Sequence, residues 1–309
     1  MAQNSKVTIK DVARQAGCGV ATASRVLNDK GSASEATRTR VRQAARELGF
    51  SFSALGRALQ SSRSMTIGCL VPSLANPVFA EAVQGLQEEL LHSPYQLLIS
   101  SSNYDADADE EALSTLIAKD VDALAVTMID PGESAQLRRA KARGTPVALM
   151  FHDPVPGFAS AYVDNLSAAR EVARHLAALG HARVGFLALR FATSDRSRNR
   201  YAGFCAECAA QGLPAPVLIE LDEIEVGAPE RLAAMLRAHD DLTAIFASND
   251  FLAIALQNAA RRIGWNVPGD LSVIGFDGIG IGSFLETPLA TVETAPEAMG
   301  RQTARQATS

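Results

Sequence analysis

The chain has 309 residues, 47% of them apolar and 20% charged, with a formal net charge of −5. These values describe a folded globular protein and exclude disordered, collagen-like and disulfide-stapled chains. The polar N-terminus is no secretory signal, and no apolar run reaches the ~18 residues a membrane span needs.

Four cysteines, at 18, 69, 205 and 208, show no disulfide framework, so a reducing cytoplasm is the expected compartment. The charge is unevenly spread. Residues 1–64 hold eleven Lys or Arg against four Asp or Glu, whereas residues 65–309 hold eighteen against thirty. A basic head on an acidic body is the electrostatic footprint of a nucleic-acid module joined to something else.

Thr8 caps a first helix, and Asp11 three residues later completes a capping-box pattern. Val12, Ala13 and Ala16 supply its apolar stripe, and Gly17 stands where a chain leaving a helix needs a left-handed residue. Val20, Ala23, Val26 and Leu27 resume the stripe in a second helix, leaving Thr22, Ser24, Arg25 and Asn28 on other faces. Two short helices joined by a tight turn are the geometry that presents one helix to the DNA major groove. A third helix is expected from a Ser34 cap to about Leu48, with Val41, Ala44, Ala45 and Leu48 inward and Arg38, Arg40, Arg42 and Arg46 outward.

From about residue 65, short apolar runs alternate with amphipathic stretches. Strands are expected at 66–71, 95–100, 121–127, 146–151, 184–189, 243–247 and 271–276. Helices are expected near 78–91, 108–118, 133–143, 167–179, 200–211, 229–238 and 251–263. Such repetition implies parallel sheet covered on both faces, in one sheet or two. Ligands of open α/β sheets bind beyond the carboxyl ends of strands. Those loops here carry Ser73, Asn76, Phe79, His152, Asp153, Arg190, Asp195, Arg196, Arg198, Arg200, Asn249, Asp250 and Asp277, polar groups suited to a small polar ligand with Phe79 offering a ring face. The arginine-rich 190–200 loop hints at an anionic effector such as a sugar acid, although loop arginines are usually solvated. The competing reading is that Asn and Asp cap the following helices, and Asp164 and Asp250 are assigned to capping or packing.

The head from Thr8 to Asn28, Ser34-Glu-Ala-Thr-Arg-Thr-Arg-Val-Arg and Glu47-Leu-Gly-Phe resemble the lactose-repressor (LacI/GalR) family. Ile67-Gly-Cys-Leu-Val-Pro, Asn76-Pro-Val-Phe, Val163-Asp-Asn, His175-Leu-Ala-Ala-Leu-Gly-His, Arg200-Tyr-Ala-Gly-Phe, Ala247-Ser-Asn-Asp and Val273-Ile-Gly-Phe-Asp extend the resemblance over essentially the whole chain, in order. It implies an all-α helix-turn-helix headpiece at 1–50 and a hinge helix or linker at 51–64. An effector-binding and dimerisation domain at 65–309 follows, built as a periplasmic-binding-protein-like core of two doubly wound parallel-sheet subdomains. The first subdomain would span about 65–163 and 290–309, the second about 164–289.

The implied function is a repressor, binding a pseudo-palindromic double-stranded operator as a homodimer and controlled by a sugar or sugar acid in the inter-subdomain cleft. Thr8, Val20, Ala21, Thr22, Ser24, Arg25 and Asn28 are the expected DNA contacts, with Val20 and Ala21 choosing sequence and Arg25 addressing a guanine. In the hinge, Arg57 and Leu59 match the family's groove contact and minor-groove wedge. Arg200, Asn249 and Asp277 match its main effector contacts. The dimer surface would lie around 78–91, 251–263 and 278–285.

Several residues depart from the family pattern. Gly19 replaces a capping Ser, Phe52 a proline and Gly56 an alanine. Phe151 stands where relatives often carry Asp, so either Phe151 replaces that Asp or Asp153 serves in its stead. Relatives also continue beyond Met299-Gly-Arg, so a missing strand and an exposed sheet edge are expected.

Other chemistries are weakly supported. Cys205-Ala-Glu-Cys208 has metal or redox spacing but no second pair, and Gly278-Ile-Gly-Ile-Gly282 lacks both dinucleotide spacing and a Walker lysine. The five histidines are scattered, and no Gly-x-Ser-x-Gly elbow occurs. No enzyme, metal or cofactor is expected. The rival readings, a cytoplasmic sugar-binding protein without specific DNA function and an α/β enzyme using the Gly278–Gly282 loop, leave the basic head unexplained.

Overall fold

A computed structural model describes residues 7–28, 31–50, 63–222 and 229–309. The chain divides into two units, residues 1–64 and 65–309.

The first unit packs α1 (Ile9–Gln15), α2 (Val20–Leu27) and α3 (Glu35–Glu47) around Val12, Ala13, Ala23, Val26, Val41 and Ala44. Asp11 closes the start of α1 by accepting from the Thr8 amide at 3.0 Å and the Thr8 hydroxyl at 2.7 Å. Gly17 leaves the helix at φ +62°, and the next amide, Cys18 N–H, donates back to Ala13 O at 3.0 Å. A side chain there would strain the turn. Ser34 caps α3 by accepting from Thr37 N–H at 3.3 Å. Of the arginines expected to face outward, Arg38 instead folds back, donating to Gly31 O at 3.1 Å and Ala33 O at 3.3 Å. It braces the loop entering α3, whose carbonyls otherwise lack helical partners.

The second unit contains two five-stranded, all-parallel sheets. β1 (Thr66–Val71), β2 (Gln96–Ser101), β3 (Ala123–Val126), β4 (Val147–Met150) and β5 (Ala159–Ala161) form the first, in the order β2-β1-β3-β4-β5. Its crossover helices are α4 (Pro77–Leu90), α5 (Ala106–Ala118) and α6 (Ala135–Ala142). β6 (Val184–Leu189), β7 (Val217–Leu221), β8 (Ala244–Ala247), β9 (Ser272–Asp277) and β10 (Ala290–Glu293) form the second, in the order β10-β9-β8-β6-β7. Around it lie α7 (Asn165–Ala178), α8 (Asp195–Ala210), α9 (Pro229–Ala238) and α10 (Asp250–Arg262), and α11 (Pro296–Thr308) ends the chain. The two orders are the same topology, each reversing beside its first strand, at β1/β3 and at β6/β8. The carboxyl ends of those strand pairs are where a ligand binds in such sheets. Central strands are buried on both faces, as the apolar runs required.

Three strands had no sequence signal. β5, β7 and β10 are short, partly exposed edge strands of three to five residues, and the apolar run at 217–219 in β7 and the alternating Ala290–Glu293 of β10 are too brief to stand out. β10 pairs with β9, so the second sheet extends to Glu293 and the expected return to the first subdomain at about 290 falls instead at 294–295. α11 then packs on the first sheet and on α4. That crossing is backbone on backbone. A Cβ on Gly300 would meet Ala82 O at 1.9 Å, and one on Gly85 would meet Glu297 O at 2.0 Å.

Candidate functional site

In the head, α2 buries Ala23 and Val26 and turns Val20, Ala21 and Arg25 to solvent, Val20 being 42% exposed. Thr22, Ser24 and Asn28 are half-buried, and the Asn28 amide donates to Ser24 Oγ at 3.3 Å. Arg25 lies along its own helix with Nε donating to Ala21 O at 3.3 Å, so its guanidinium stays at the exposed face. Gly19 sits at the N-cap with φ −71° and supplies no side-chain bond. Thr8 is exposed at the start of α1. Arg57 and Leu59, with Phe52 and Gly56, lie outside the described residues.

In the second unit, the carboxyl ends of the two sheets face one another across a cleft. Its inner chamber, about 50 Å³, brings together Asn76, Phe79, Arg200, Asn249 and Asp277 from the expected set. Ser73 lines an adjoining outer chamber of about 310 Å³, which shares Asn76, Tyr104, Leu189 and Asn249 with the inner one. Asn76 and Asn249 are caps as well as lining. Their carboxamide oxygens accept from Val78 N–H at 3.3 Å and Leu252 N–H at 2.9 Å. Capping a helix thus does not keep these two residues out of the cleft wall.

Arg200 is held rigidly. Its Nε donates to Asn165 Oδ1 at 2.8 Å and its Nη1 to Ser248 O, while the guanidinium stacks 3.5 Å from the centroid of the Phe276 ring. Asp277 Oδ1 lies 3.8 Å away. Burial pushes the Asp277 carboxyl up to about 7 against the pull of Arg200, and burial brings Arg200 down to about 10 against the pull of Asp277. Asp277 adopts φ +130° and Phe151 φ +66°, conformations that cost a side-chain-bearing residue energy and concentrate at ligand clamps.

Asp250 takes the packing role assigned to it. Fully buried, it accepts from Gly278 N–H and Ile279 N–H at 2.9 Å each and from Thr291 Oγ1 at 2.6 Å. Those two amides open the Gly278–Gly282 loop, so they are not free to cradle a phosphate. Asp164 caps α7, accepting from Ser167 N–H at 2.9 Å. Cys205 and Cys208 share α8, and burial raises both thiols, Cys208 to about 11. That is the reverse of what redox or metal chemistry needs. Among the described residues, no group of three His, Cys, Asp or Glu converges on a metal-sized site, and no helix is long and apolar enough to cross a membrane.

The comparisons with known proteins agree on one assignment. Residues 8–52 match the family described as bacterial regulatory proteins, lacI family, and residues 173–309 match the periplasmic binding protein-like domain. The transcriptional regulator DegA of Bacillus subtilis is 32% identical over 308 residues, covering 98% of this chain and 90% of DegA. A solved lacI-family regulator from Silicibacter pomeroyi superposes with a TM-score of 0.85 at 27% identity, covering 98% of this chain and 91% of that one. The operator-bound lac repressor dimer shares the fold, with a TM-score of 0.86 at 24% identity over 98% of this chain and 92% of that one.

The chain belongs to the lacI family of bacterial regulatory proteins. It is a helix-turn-helix DNA-binding transcriptional regulator and not an enzyme.

In this lacI-family chain the segment after β4 departs from expectation. Phe151 occupies the cleft wall, its ring edge-on to Phe79 at 5.2 Å. His152 and Asp153, expected as effector contacts, do not line the cleft and instead bridge the lobes. His152 is 1% exposed; its Nε2 accepts from Met128 N–H at 3.1 Å and its Nδ1 donates to Asp195 Oδ2 at 3.0 Å. Asp153 accepts from Asn199 Nδ2 at 2.6 Å. Tyr104 and Ser248 are lining residues outside the expected set, and Arg196, one of the loop arginines expected beyond β6, lines the cleft with them. Arg196 reaches the cleft because α8 starts at Asp195, five residues before the helix expected at 200–211. The polar run Asp-Arg-Ser-Arg-Asn-Arg masked the helix, but Ser194, accepting from Ser197 N–H at 3.2 Å, was a readable cap.

Proposed function

We propose that this regulator is a repressor that binds a pseudo-palindromic operator as a homodimer and is controlled by a small polar effector in the cleft of its second unit. The proposed division is a reading head at 1–50, a hinge at 51–64 and an effector and dimerisation core at 65–309. Its setting is the cytoplasm, where operator DNA is found.

The observation that carries this reading is the pairing of an exposed recognition helix with a cleft walled by two matched switch points. α2 offers Val20 and Ala21 to thymine methyls and Arg25 to a guanine edge, with Thr8, Thr22, Ser24 and Asn28 toward phosphates. Arg57 and Leu59 are proposed for the minor groove. In the cleft, Arg200, Asp277, Asn249, Asn76, Ser73 and Phe79 are the proposed effector contacts. The inner and outer chambers together approach the ~300–1,000 Å³ of small-molecule sites. The dimer reading draws support from apolar side chains left at the surface on adjoining elements: Phe284 is 86% exposed, Ile281 57%, Leu74 50% and Phe251 42%.

Fluorescence anisotropy on duplexes from the DNA flanking its own gene tests the reading, with Arg25→Ala as control. Half-site-dependent binding by the parent and its loss in the variant are expected. Equal binding of all duplexes, or of both proteins, would overturn specific readout.

A further inference from the structure

Arg196 brings a second positive charge into the inner chamber. It is 7% exposed, and its Nη1 has no hydrogen-bond partner. Asp195 Oδ1 lies 3.3 Å from that nitrogen, outside hydrogen-bonding geometry, and the Asp195 carboxylate already receives His152 Nδ1 at 3.0 Å and the Arg196 backbone N–H at 2.8 Å. A buried guanidinium N–H without an acceptor retains its desolvation cost until an acceptor arrives. Arg200 beside it differs, because Asn165 and Ser248 already accept from its Nε and Nη1.

Two guanidinium groups and the Asp277 carboxyl line the inner chamber, and Asp195 faces Arg196 from just outside that lining at 3.3 Å. The open feature of the site is therefore the unfilled Nη1 donor of Arg196 and not a net charge. Arg196 also lies in the first turn of the 16-residue α8, whose N-terminal end favours negative charge. The inner chamber of about 50 Å³ admits only a compact head group, while the outer chamber of about 310 Å³ has room for a ring-sized body among Tyr104, Leu189, Phe251 and three asparagines.

We infer that the effector is a small organic acid, with one carboxylate on Arg196 in the inner chamber and a ring-sized body in the outer one. The inference rests on the effector-cleft reading above. A buried guanidinium nitrogen left without a hydrogen-bond acceptor suits an anionic oxygen, and the planar fork of arginine suits a carboxylate. A sugar acid and an aromatic acid share this chemistry.

Titration calorimetry of the full chain separates these sources and tests the inference. The probes are D-glucuronate, D-gluconate and 4-hydroxybenzoate, against D-glucose, 4-hydroxybenzyl alcohol and glucose 6-phosphate. At least one carboxylate should bind at least about tenfold more tightly than its neutral counterpart. Arg196→Gln should weaken that acid by roughly tenfold to a hundredfold, the size of a charge-assisted hydrogen bond, while Arg196→Lys retains part of the preference. Should the Gln variant fail to fold, the Lys variant carries the comparison, and a preference unaltered by loss of the planar fork would count against Arg196. Neutral probes binding as well as acids, or Arg196→Gln leaving acid affinity unchanged, would overturn the acid assignment and leave the effector cleft standing. Tightest binding by glucose 6-phosphate would overturn the carboxylate. No binding by any probe, with operator affinity unmoved by all of them, would overturn both readings.

Discussion

His152 Nδ1 sits 3.0 Å from Asp195 Oδ2, joining the end of the first sheet's β4 to the start of the second lobe's α8. The ring's other nitrogen accepts from Met128 N–H, so the imidazole is neutral and its Nδ1–H is the donor. Burial opposes ionisation of Asp195, but the His152 hydrogen bond and the Arg196 charge outweigh it and hold the carboxyl well below the usual range. The contact crosses the cleft beside Arg196, so it ties one lobe to the other at the edge of the inner chamber.

Removing this contact should loosen the join between the two lobes. His152→Ala leaves Asp195 and Met128 N–H without their partner, at a cost of about 1.5–3 kcal/mol for a hydrogen bond to a charged group. At roughly 2–4 °C per kcal/mol for a domain of this size, a clear fall in melting temperature is expected. An unchanged melting curve, together with an unchanged radius of gyration in solution scattering, would deny the contact any role in joining the lobes.

The cleft should also show two opposing pH dependences. Burial holds His152 below its ordinary value near ~6.5, so below that pH the unfolded chain takes up the proton first. Its contribution is present above ~6.5 and lost as pH falls. Asp277 runs the other way. Its folded carboxyl stands at about 7 against ~3.9 unfolded, so its contribution is full below ~3.9 and lost as pH rises to about 7. Urea denaturation at pH 5, 6, 7 and 8 reads both. Wild type should lose stability relative to Asp277→Asn as pH rises, and gain it relative to His152→Asn. Parallel curves would contradict both assignments.

The α4/α11 crossing predicts intolerance of a single methyl group. Gly300→Ala drives a Cβ into the Ala82 carbonyl, and overpacking of this kind costs about 1–3 kcal/mol. The urea midpoint should fall with an unchanged slope. A midpoint equal to that of wild type would mean that the helices do not cross this closely.

In the head, Arg25→Ala should weaken the best operator by about 1–3 kcal/mol and leave non-specific DNA less affected. Gly19→Ser should act in the opposite direction. Its φ of −71° suits any residue, and an added Cβ meets nothing within 4 Å. The regained cap stabilises α2 by only a few tenths of a kcal/mol, roughly the measured gap between Gly and Ser caps. Anisotropy titrations on operator and random duplexes check both, and weaker operator binding by Gly19→Ser would rule out the cap.

Much of this molecule was legible in its residues. Local chemistry wrote the head: the Thr8–Asp11 pair, Gly17 and the apolar stripes act over three or four residues, and the helices follow them. Buried central strands were equally clear, because a strand covered on both faces must be apolar throughout. β5, β7 and β10 were not, since edge strands draw their stability from a neighbour's hydrogen bonds rather than from their own side chains. The cleft set was read in part. Asp277 ends a strand, and Asn76, Phe79, Arg200 and Asn249 lie in the loops or helix starts that follow one, where the sheet rule gathers ligand-facing residues.

Sequence by itself thus determined the family, the basic reading head, the parallel α/β core and part of the cleft wall, because each depends on local pattern or on strand polarity. Tertiary structure alone decided what the residues after β4 and before β7 do. His152 and Asp153 turn away from the cleft to Asp195 and Asn199, Phe151 takes the wall, and Arg196 enters the chamber on a helix that begins earlier than its composition signals. The reason is that a side chain's partner across two lobes is set by how those lobes face one another, and no spacing along one chain encodes that approach.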